Sequence, residues 1–220
     1  MDATVLFADL AGYSALTEAH GDESAADLLA RFYAIARAAV GADGRLVKTI
    51  GDAVMIVAGD PGAASSIAVR LASAAHTEPS FPAVRIGLHA GPVVERDGDV
   101  FGATVNLAAR VVAHAQAGQI LCTWQVAQAL AENGPPTRAC GRASFKNITE
   151  LVQLFEIDAS DSSFSRYVID PVCRMRVDPE TAPDRVDLEG EVVYFCSAGC
   201  LEAFTRAPHS YRRGSKARSL

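Results

Sequence analysis

Two apolar runs of this chain each end at an acidic residue, and this pattern constrains the fold most. The first run ends in Asp9 and is followed by Gly12, which predicts a strand that enters a tight turn before a helix. The second places Asp52 at the tip of a two-residue β-hairpin, between residues 45–50 and 53–58. Each predicted strand therefore presents a carboxylate at its end.

Asp9 and Asp52 lie 43 positions apart in the sequence and are candidate metal ligands. Backbone N–H groups in a glycine-containing turn before a helix can bind phosphate. Two hard oxygen ligands beside such a turn suit Mg²⁺, which prefers one or two carboxylates together with substrate phosphates. The alternative is that Asp9 caps the following helix and Asp52 is an ordinary turn residue.

Residues 85–123 predict a strand, a glycine-rich hairpin and a helix that carries Asn106 and Arg110. These two residues are four positions apart, so they project from one helix face. The opposite face is apolar and can pack on a sheet: it carries Leu107, Ala108, Val111 and Val112. An amide and a guanidinium on the uncovered face suit a ribose and a phosphate. Lys48 and Asp99 complete this set of candidate residues.

Four sequence blocks together resemble the catalytic domain of class III nucleotidyl cyclases, which make 3′,5′-cyclic nucleotides. The blocks are FADLAGYS, KTIGDAV, IGLHAG and VFGATVNLAAR, in the order and at the spacing of that family. The resemblance covers about residues 1–158 and implies an α+β, ferredoxin-like sandwich. Amphipathic helices predicted near residues 28–39 and 64–75 agree with helices packed on a mostly antiparallel sheet.

The resemblance also implies a role for each of seven residues. Two would bind metal, two would select the base, and three would act on the ribose and phosphates: Asp9 and Asp52 for a pair of Mg²⁺ or Mn²⁺ ions, Lys48 and Asp99 for the base, Asn106 for the ribose, Arg110 for the pentacoordinate phosphorus, and Lys146 for the terminal phosphates. The family usually has glycine after the last of these residues, where this chain has Asn147. A homodimer with two shared sites is implied as well, because the carboxylates of one protomer would work with the other residues of its partner.

The hydrogen-bonding groups of Lys48 and Asp99 also give a physical reason to expect adenine as the base. The edge of adenine presents an amine donor beside a ring-nitrogen acceptor, and guanine presents the reverse. Asp99 would accept from the amine and Lys48 would donate to the ring nitrogen, which favours ATP over GTP. The alternative for Lys48 is a salt bridge to Asp52 on its own hairpin. No clear protein base is found: His89 is interpreted as structural, which leaves water or a substrate phosphate to take the proton.

A second, smaller module is predicted after the catalytic domain. Residues 159–168 are rich in Ser and Asp and predict a linker. The motifs DPVC and YFCSAGC then resemble the YHS family of small metal-associated domains over residues 169–212, with a tail at 213–220. The family's glycine before Met175 is Arg174 here. The expected module is a small, cysteine-containing α+β unit.

Cys173, Cys196 and Cys200 are candidate ligands for a thiophilic metal in this module. Three thiolates are one ligand short of a closed zinc site, and His209, an aspartate or another thiol would complete it. Three sulfurs alone would suit Cu⁺. The alternative is that all three are small buried core residues, although a module of this size favours a metal. The two other cysteines are interpreted as a strand and a loop residue of the first domain: Cys122 and Cys140.

Composition excludes several classes of protein. The 220 residues, 50% of them hydrophobic, suffice for one full domain and a small one. A net charge of −6 argues against a nucleic-acid-binding surface. No apolar run approaches the roughly 20 residues of a membrane span, and the N-terminus lacks a signal peptide's basic start. Five cysteines, an odd number, favour a reducing cytoplasm over a disulfide framework.

The predicted function is an adenylate cyclase. One alternative is a catalytically weak nucleotide-binding or scaffold protein whose C-terminal module carries the signal, and another is a metal carrier with a vestigial cyclase domain. The first alternative is disfavoured because all six core matches to the family are present: Asp9, Lys48, Asp52, Asp99, Asn106 and Arg110. The sequence starts eight residues before Asp9, so the regulator, which is not identified, is expected elsewhere in the chain or in a partner.

Overall fold

The structure is a computed structural model that describes residues 1–159, 167–188 and 190–211. The linker predicted at 159–168 and the tail at 213–220 therefore lie almost entirely outside the described residues. The strands are β1 (Asp2–Leu10), β2 (Gly44–Ile50), β3 (Ala53–Ala58), β4 (Val84–Pro92), β5 (Val94–Arg96), β6 (Asp99–Phe101), β7 (Ile120–Thr123), β8 (Thr137–Ala143), β9 (Val152–Ile157), β10 (Val168–Ile169), β11 (Arg176–Val177), β12 (Asp184–Leu188) and β13 (Glu191–Phe195). The helices are α1 (Tyr13–Val40), α2 (Pro61–Thr77), α3 (Ala103–His114), α4 (Trp124–Leu130), α5 (Ala198–Arg206) and α6 (Pro208–Tyr211).

The central sheet has seven strands in the order β2-β3-β1-β4-β7-β9-β8. Its neighbouring strands are antiparallel, except for the parallel pair of β4 and β7. The run β1-α1-β2-β3-α2-β4 forms a ferredoxin-like unit, because its strands lie in the order β4-β1-β3-β2. The predicted α+β class, the mostly antiparallel sheet and the two-residue hairpin are confirmed.

Strand β1 lies inside the sheet and is buried on both faces. Leu6, Ala8 and Leu10 pack with α1 and α2 in the larger core, and Val5 and Phe7 pack with α3 on the other side. Alternate residues of a strand point to opposite faces, so one nearly continuous apolar run fills both cores. Asp9 lies near the end of this strand, between the buried residues Ala8 and Leu10, and is only partly buried.

Helix α3 crosses β4 at Gly87. A Cβ at this position would overlap the backbone of Val112, so only glycine allows the helix to approach so closely. The buried face of α3 consists of Thr104, Ala108, Val111 and Val112. Leu107 is only partly buried, while Asn106 and Arg110 are exposed as predicted.

The C-terminal module packs on the N-terminal domain and extends its core. The two share one apolar cluster, which includes Phe81, Val84, Val172, Met175, Phe195 and Phe204. Arg176 binds the C-terminal end of α2: its guanidinium donates to the carbonyl oxygens of Ala75 at 2.6 Å, His76 at 2.9 Å and Phe81 at 3.1 Å. A cation at this end satisfies carbonyls that the helix leaves unpaired.

Within the described ranges, none of the helices combines the length and the apolar character that a bilayer crossing requires.

Candidate active site

The two predicted metal carboxylates lie side by side. Asp9 is near the end of β1, and the adjacent hairpin between β2 and β3 carries Asp52 at its tip. The backbone nitrogen of Leu10 donates to the carbonyl oxygen of Asp52 at 3.1 Å. The Tyr33 hydroxyl, from α1, donates to the carbonyl oxygen of Gly51. These backbone contacts fix the hairpin tip against the end of β1.

Asp9 lies in an unusual electrostatic environment. Its Oδ2 accepts a hydrogen bond from Arg85 Nε at 2.9 Å, while its Oδ1 is buried and has no hydrogen-bond partner among the described residues. Burial raises the pKa of Asp9 to about 6; the charge of Arg85 lowers it and that of Asp52 raises it. A buried acceptor oxygen beside a second carboxylate is a donor set that fits Mg²⁺ or Mn²⁺.

Arg85 contacts the candidate metal ligand Asp9 and was not among the residues predicted from the sequence. It lies on β4 directly opposite Asp9 in the register of β1 and β4. Side chains that face each other across an antiparallel pair interact, so the assignment of that pair would have shown the contact. Arg85 neutralises one carboxylate oxygen and leaves the other for a cation.

Lys48 and Asp99 are in direct contact, although 51 residues separate them in sequence. Lys48 Nζ lies 2.8 Å from Oδ1 and 2.6 Å from Oδ2 of Asp99. Hydrogen bonds from Lys48 and from the backbone of Val100 lower the pKa of Asp99, so this carboxylate is ionised. Lys48 is thus paired with Asp99, and the alternative salt bridge to Asp52 is not formed.

The hairpin of β5 and β6 holds Asp99 in position. Its turn residues Asp97 and Gly98 have φ values of 52° and 75°, as a type I′ turn requires. Arg45 of β2 donates to the carbonyl oxygen of Gly98 and to the Glu95 carboxylate, each at 2.6 Å. The hairpin is therefore attached to the strand that carries Lys48.

The three predicted phosphate and ribose residues are exposed. Asn106 and Arg110 lie on the free face of α3, and Lys146 lies in the turn between β8 and β9. Asn147 has φ of 65°, a left-handed conformation that asparagine tolerates and that glycine would also adopt. Within the described part of the chain, hydrogen bonds link none of these three side chains to the two carboxylates.

Three other reactive side chains of this domain, one histidine and two cysteines, lie on strands of the central sheet. His89 is buried, its Nδ1 lies 2.8 Å from Thr123 Oγ1, and burial lowers its pKa, as expected for a neutral core histidine. Cys122 is buried in β7, and burial raises its pKa to about 12. Cys140 lies in β8 and not in a loop: the loop assignment was wrong, because the chain pairs with β9 on both sides of an irregularity there.

The three C-terminal cysteines converge. Cys196 Sγ lies 3.3 Å from Cys173 Sγ and 3.7 Å from Cys200 Sγ. The buried Asp170 carboxylate braces the cluster, because Oδ1 accepts from the backbone nitrogen of Val172 and Oδ2 from that of Cys196, both at 2.8 Å. Hydrogen bonding with the neighbouring thiols raises the pKa of Cys173 and lowers that of Cys200. Three sulfurs this close together form a potential metal ligand set.

A histidine from the other end of the chain lies against these sulfurs. His20 Nε2 is 3.5 Å from Cys196 Sγ and 3.8 Å from Cys200 Sγ, and all four ligand atoms lie within 4.8 Å of one another. The group of four found in the described residues does not include His209, the histidine that the sequence suggested. His20 belongs to α1, so only the tertiary structure reveals it.

Family models match both parts of the chain. A model of the adenylate and guanylate cyclase catalytic domain matches residues 1–155, and a YHS domain model matches residues 168–214. An adenylate cyclase of Streptomyces griseus is 37% identical over 155 residues, which are 69% of this chain and 39% of that protein. A pH-sensitive adenylate cyclase of Mycobacterium tuberculosis is 35% identical over 158 residues, 70% of this chain and 40% of that protein. The matched region thus spans about two fifths of these relatives.

Solved structures show the same fold. The adenylyl cyclase CyaB of P. aeruginosa has a TM-score of 0.62 at 24% identity, over 73% of this chain and 95% of that one. An adenylate/guanylate cyclase/hydrolase of Silicibacter pomeroyi has a TM-score of 0.58 at 29% identity, over 73% of this chain and 98% of that one. The fold and the family model, matched over residues 1–155, agree: this chain belongs to the adenylate and guanylate cyclase catalytic-domain family.

Proposed function

We propose that this chain is an adenylate cyclase that converts ATP to 3′,5′-cyclic AMP and pyrophosphate. The contact of Lys48 with Asp99 carries the assignment, because it places a cationic donor beside an anionic acceptor. On the edge of adenine, an amine donor lies beside a ring-nitrogen acceptor. Asp99 would accept from the amine, and Lys48 would donate to the ring nitrogen. The names of the relatives, adenylate cyclases, support the same substrate.

In the reaction, the ribose 3′-oxygen attacks the α-phosphate and pyrophosphate leaves. Asp9 and Asp52 would hold Mg²⁺ or Mn²⁺, which when bound lowers the pKa of the 3′-hydroxyl and neutralises triphosphate charge. Arg110 would stabilise the charge that develops on the phosphoryl oxygens, since a preorganised cation acts most strongly in the transition state. Asn106 would hold the ribose, and Lys146 would bind the terminal phosphates.

The complete site is proposed to form between two copies of the chain. Large apolar side chains are exposed next to the base-selecting pair: Ile50 is 49% exposed and Phe101 47%. Lys48 Nζ lies 5.6 Å from the centre of the Phe101 ring. An isologous contact would cover this surface and would bring the carboxylates of one protomer to Asn106 and Arg110 of its partner.

The test is a direct assay of the purified chain with ATP or GTP in Mg²⁺ or Mn²⁺, with the cyclic product separated and quantified. We expect cyclic AMP from ATP and little product from GTP. Asp52→Ala should abolish turnover, whereas Asp27→Ala, which removes an exposed carboxylate of α1, should not. A folded protein that makes no cyclic product would contradict the proposal and favour the nucleotide-binding scaffold. Equal turnover of both nucleotides would contradict the base assignment.

A further inference from the structure

We propose that His20 of the catalytic domain is the fourth ligand of a Zn²⁺ site whose other ligands are Cys173, Cys196 and Cys200. This site would fasten the C-terminal module to α1. The inference rests on the ligand geometry and does not depend on the cyclase activity.

The spacing of the ligand atoms matches a tetrahedral zinc site. With Zn–S of about 2.3 Å and Zn–N of about 2.0–2.1 Å, tetrahedral ligand atoms lie roughly 3.5 to 3.8 Å apart. Cys196 Sγ lies 3.3 Å from Cys173, 3.7 Å from Cys200 and 3.5 Å from His20 Nε2. The distance from Cys200 Sγ to His20 Nε2 is 3.8 Å. All four ligand atoms lie within 4.8 Å of one another, so a single zinc ion can reach all of them after small side-chain adjustments.

The ligand types select zinc and a structural role. Three thiolates and one imidazole form a closed Cys₃His set, which leaves no position for a substrate or an activated water. Cys173 and Cys200 are buried, and His20 and Cys196 are half-buried. The imidazole also distinguishes this set from the three sulfurs that would suit Cu⁺.

The sulfur ligands are held in place by their own module. Asp170 joins the segment of Cys173 to that of Cys196 through its two carboxylate oxygens. The hydroxyl of Ser197 caps α5 and accepts from the backbone nitrogen of Cys200 at 3.3 Å. These hydrogen bonds to the backbone of the ligand segments hold the cysteines in position before a metal binds.

His20 lies at a break in α1, so the proposed zinc site would connect the C-terminal module to a separate segment of this helix. Gly21 has φ of 82° and ψ of 167°, so residues 13–20 form a short arm that is separate from the rest of the helix. The arm begins next to Gly12, where a Cβ would overlap Arg174, a neighbour of Cys173. The C-terminal module thus contacts both ends of the arm that follows the Asp9 strand.

Zinc binding to the full chain tests the proposal. The reduced protein is titrated with Zn²⁺ against a chelator, and the Co²⁺-substituted form is examined by absorption. We expect one ion per chain and the intense visible bands of tetrahedral Co²⁺ with thiolate ligands. His20→Ala should weaken zinc binding about 100-fold or more, whereas the matched variant His209→Ala should bind as wild type. His20→Cys restores a fourth ligand and should recover binding.

Hydrogen exchange tests whether zinc links the C-terminal module to the first part of α1. Zinc should protect backbone amides of residues 13–20 in the wild type and not in His20→Ala. Wild-type affinity in His20→Ala, loss of affinity in His209→Ala, or absence of zinc uptake by the reduced wild type would each overturn the proposal. If His20→Ala unfolds by circular dichroism, His20→Cys decides: a folded variant that does not bind zinc also overturns it.

Discussion

The side chain of Arg174 packs directly on the Cα of Gly12, so a Cβ at position 12 would overlap its Cβ and Cγ. Gly12 has φ of 84° and Arg174 has φ of 64°, and both lie in the left-handed region. The turn that follows the Asp9 strand is thus in contact with the C-terminal module. The family's glycine before Met175 is replaced here by a residue whose side chain makes this contact.

We predict that Gly12→Ala destabilises the chain more than its backbone conformation alone explains. Gly118→Ala is the control, because Gly118 also has positive φ, at 81°, but no atom lies within 4 Å of an added Cβ. The control should cost about 1 to 2 kcal/mol, and Gly12→Ala about 2 kcal/mol more because of the overlap. Urea unfolding measures both. Adding Arg174→Gly should recover the excess; if it does not, the overlap is not the cause.

The raised pKa of Asp9 predicts a pH effect on the stability of the metal-free chain. Burial raises this pKa from 3.8 to about 6, so between these values the native state binds more protons than the unfolded chain. The free energy of unfolding should therefore fall by up to about 3 kcal/mol from this group as pH rises from about 4 to 6. Urea unfolding in chelator measures it. Asp9→Asn should lack the fall and Asp27→Asn should retain it; identical curves for all three proteins would rule out the raised pKa.

Exchanging the two members of the base-selecting pair should shift the nucleotide preference towards GTP. The double variant Lys48→Glu/Asp99→Lys keeps an ion pair but reverses donor and acceptor, which matches guanine. We expect the ratio of kcat/KM for ATP to that for GTP to fall at least about 100-fold, because bound ATP would then face a donor with its amine and an acceptor with its ring nitrogen.

The matched control for this exchange is Arg45→Glu/Glu95→Arg. This variant reverses the ion pair between Arg45 of β2 and Glu95 of β5. The Arg45 nitrogen and the Glu95 oxygen lie 2.6 Å apart. Its nucleotide preference should remain that of the wild type. A preference that moves equally in both double variants would show that the hairpin position, and not the contact with the base, controls selection.

A shared site predicts complementation between two inactive proteins. Asp52→Ala and Arg110→Ala should each be inactive, yet a mixture with free subunit exchange should recover roughly a quarter of wild-type activity. Half of the dimers would then be mixed, and each mixed dimer would carry one intact site. Native mass spectrometry establishes the exchange. The control is the double variant Asp52→Ala/Arg110→Ala mixed with wild type, because both lesions then lie on one chain. Exchange without recovery would contradict the site between protomers.

Local sequence patterns were sufficient for the strands that carry the candidate metal ligands. Asp9, Asp52 and the face of Asn106 and Arg110 follow from apolar runs, turn residues and helical spacing, which depend on neighbours in the chain. The family pattern gave Lys48 and Asp99 a common role at the base, but their direct contact was not predicted, since no local rule joins a strand to a distant hairpin.

Contacts that depend on register or on domain packing were not predictable in this way. Arg85 meets Asp9 only because β4 pairs with β1 in one register, and a shift by one residue would turn it to the other face. His20 looks like an ordinary polar helix residue in sequence. Its meeting with Cys200, 180 residues later, depends on how the C-terminal module packs.

The core shared by the two modules also sets an order of events during biosynthesis. A ribosome releases residues 1–159 before residues 167–211, so the surface around Phe81 and the end of α2 remains uncovered while translation continues. His20 likewise leaves the exit tunnel long before Cys200, and a nascent chain of the catalytic domain alone lacks the three sulfurs. The surface that the two modules share is therefore buried only after the C-terminal module has been synthesised.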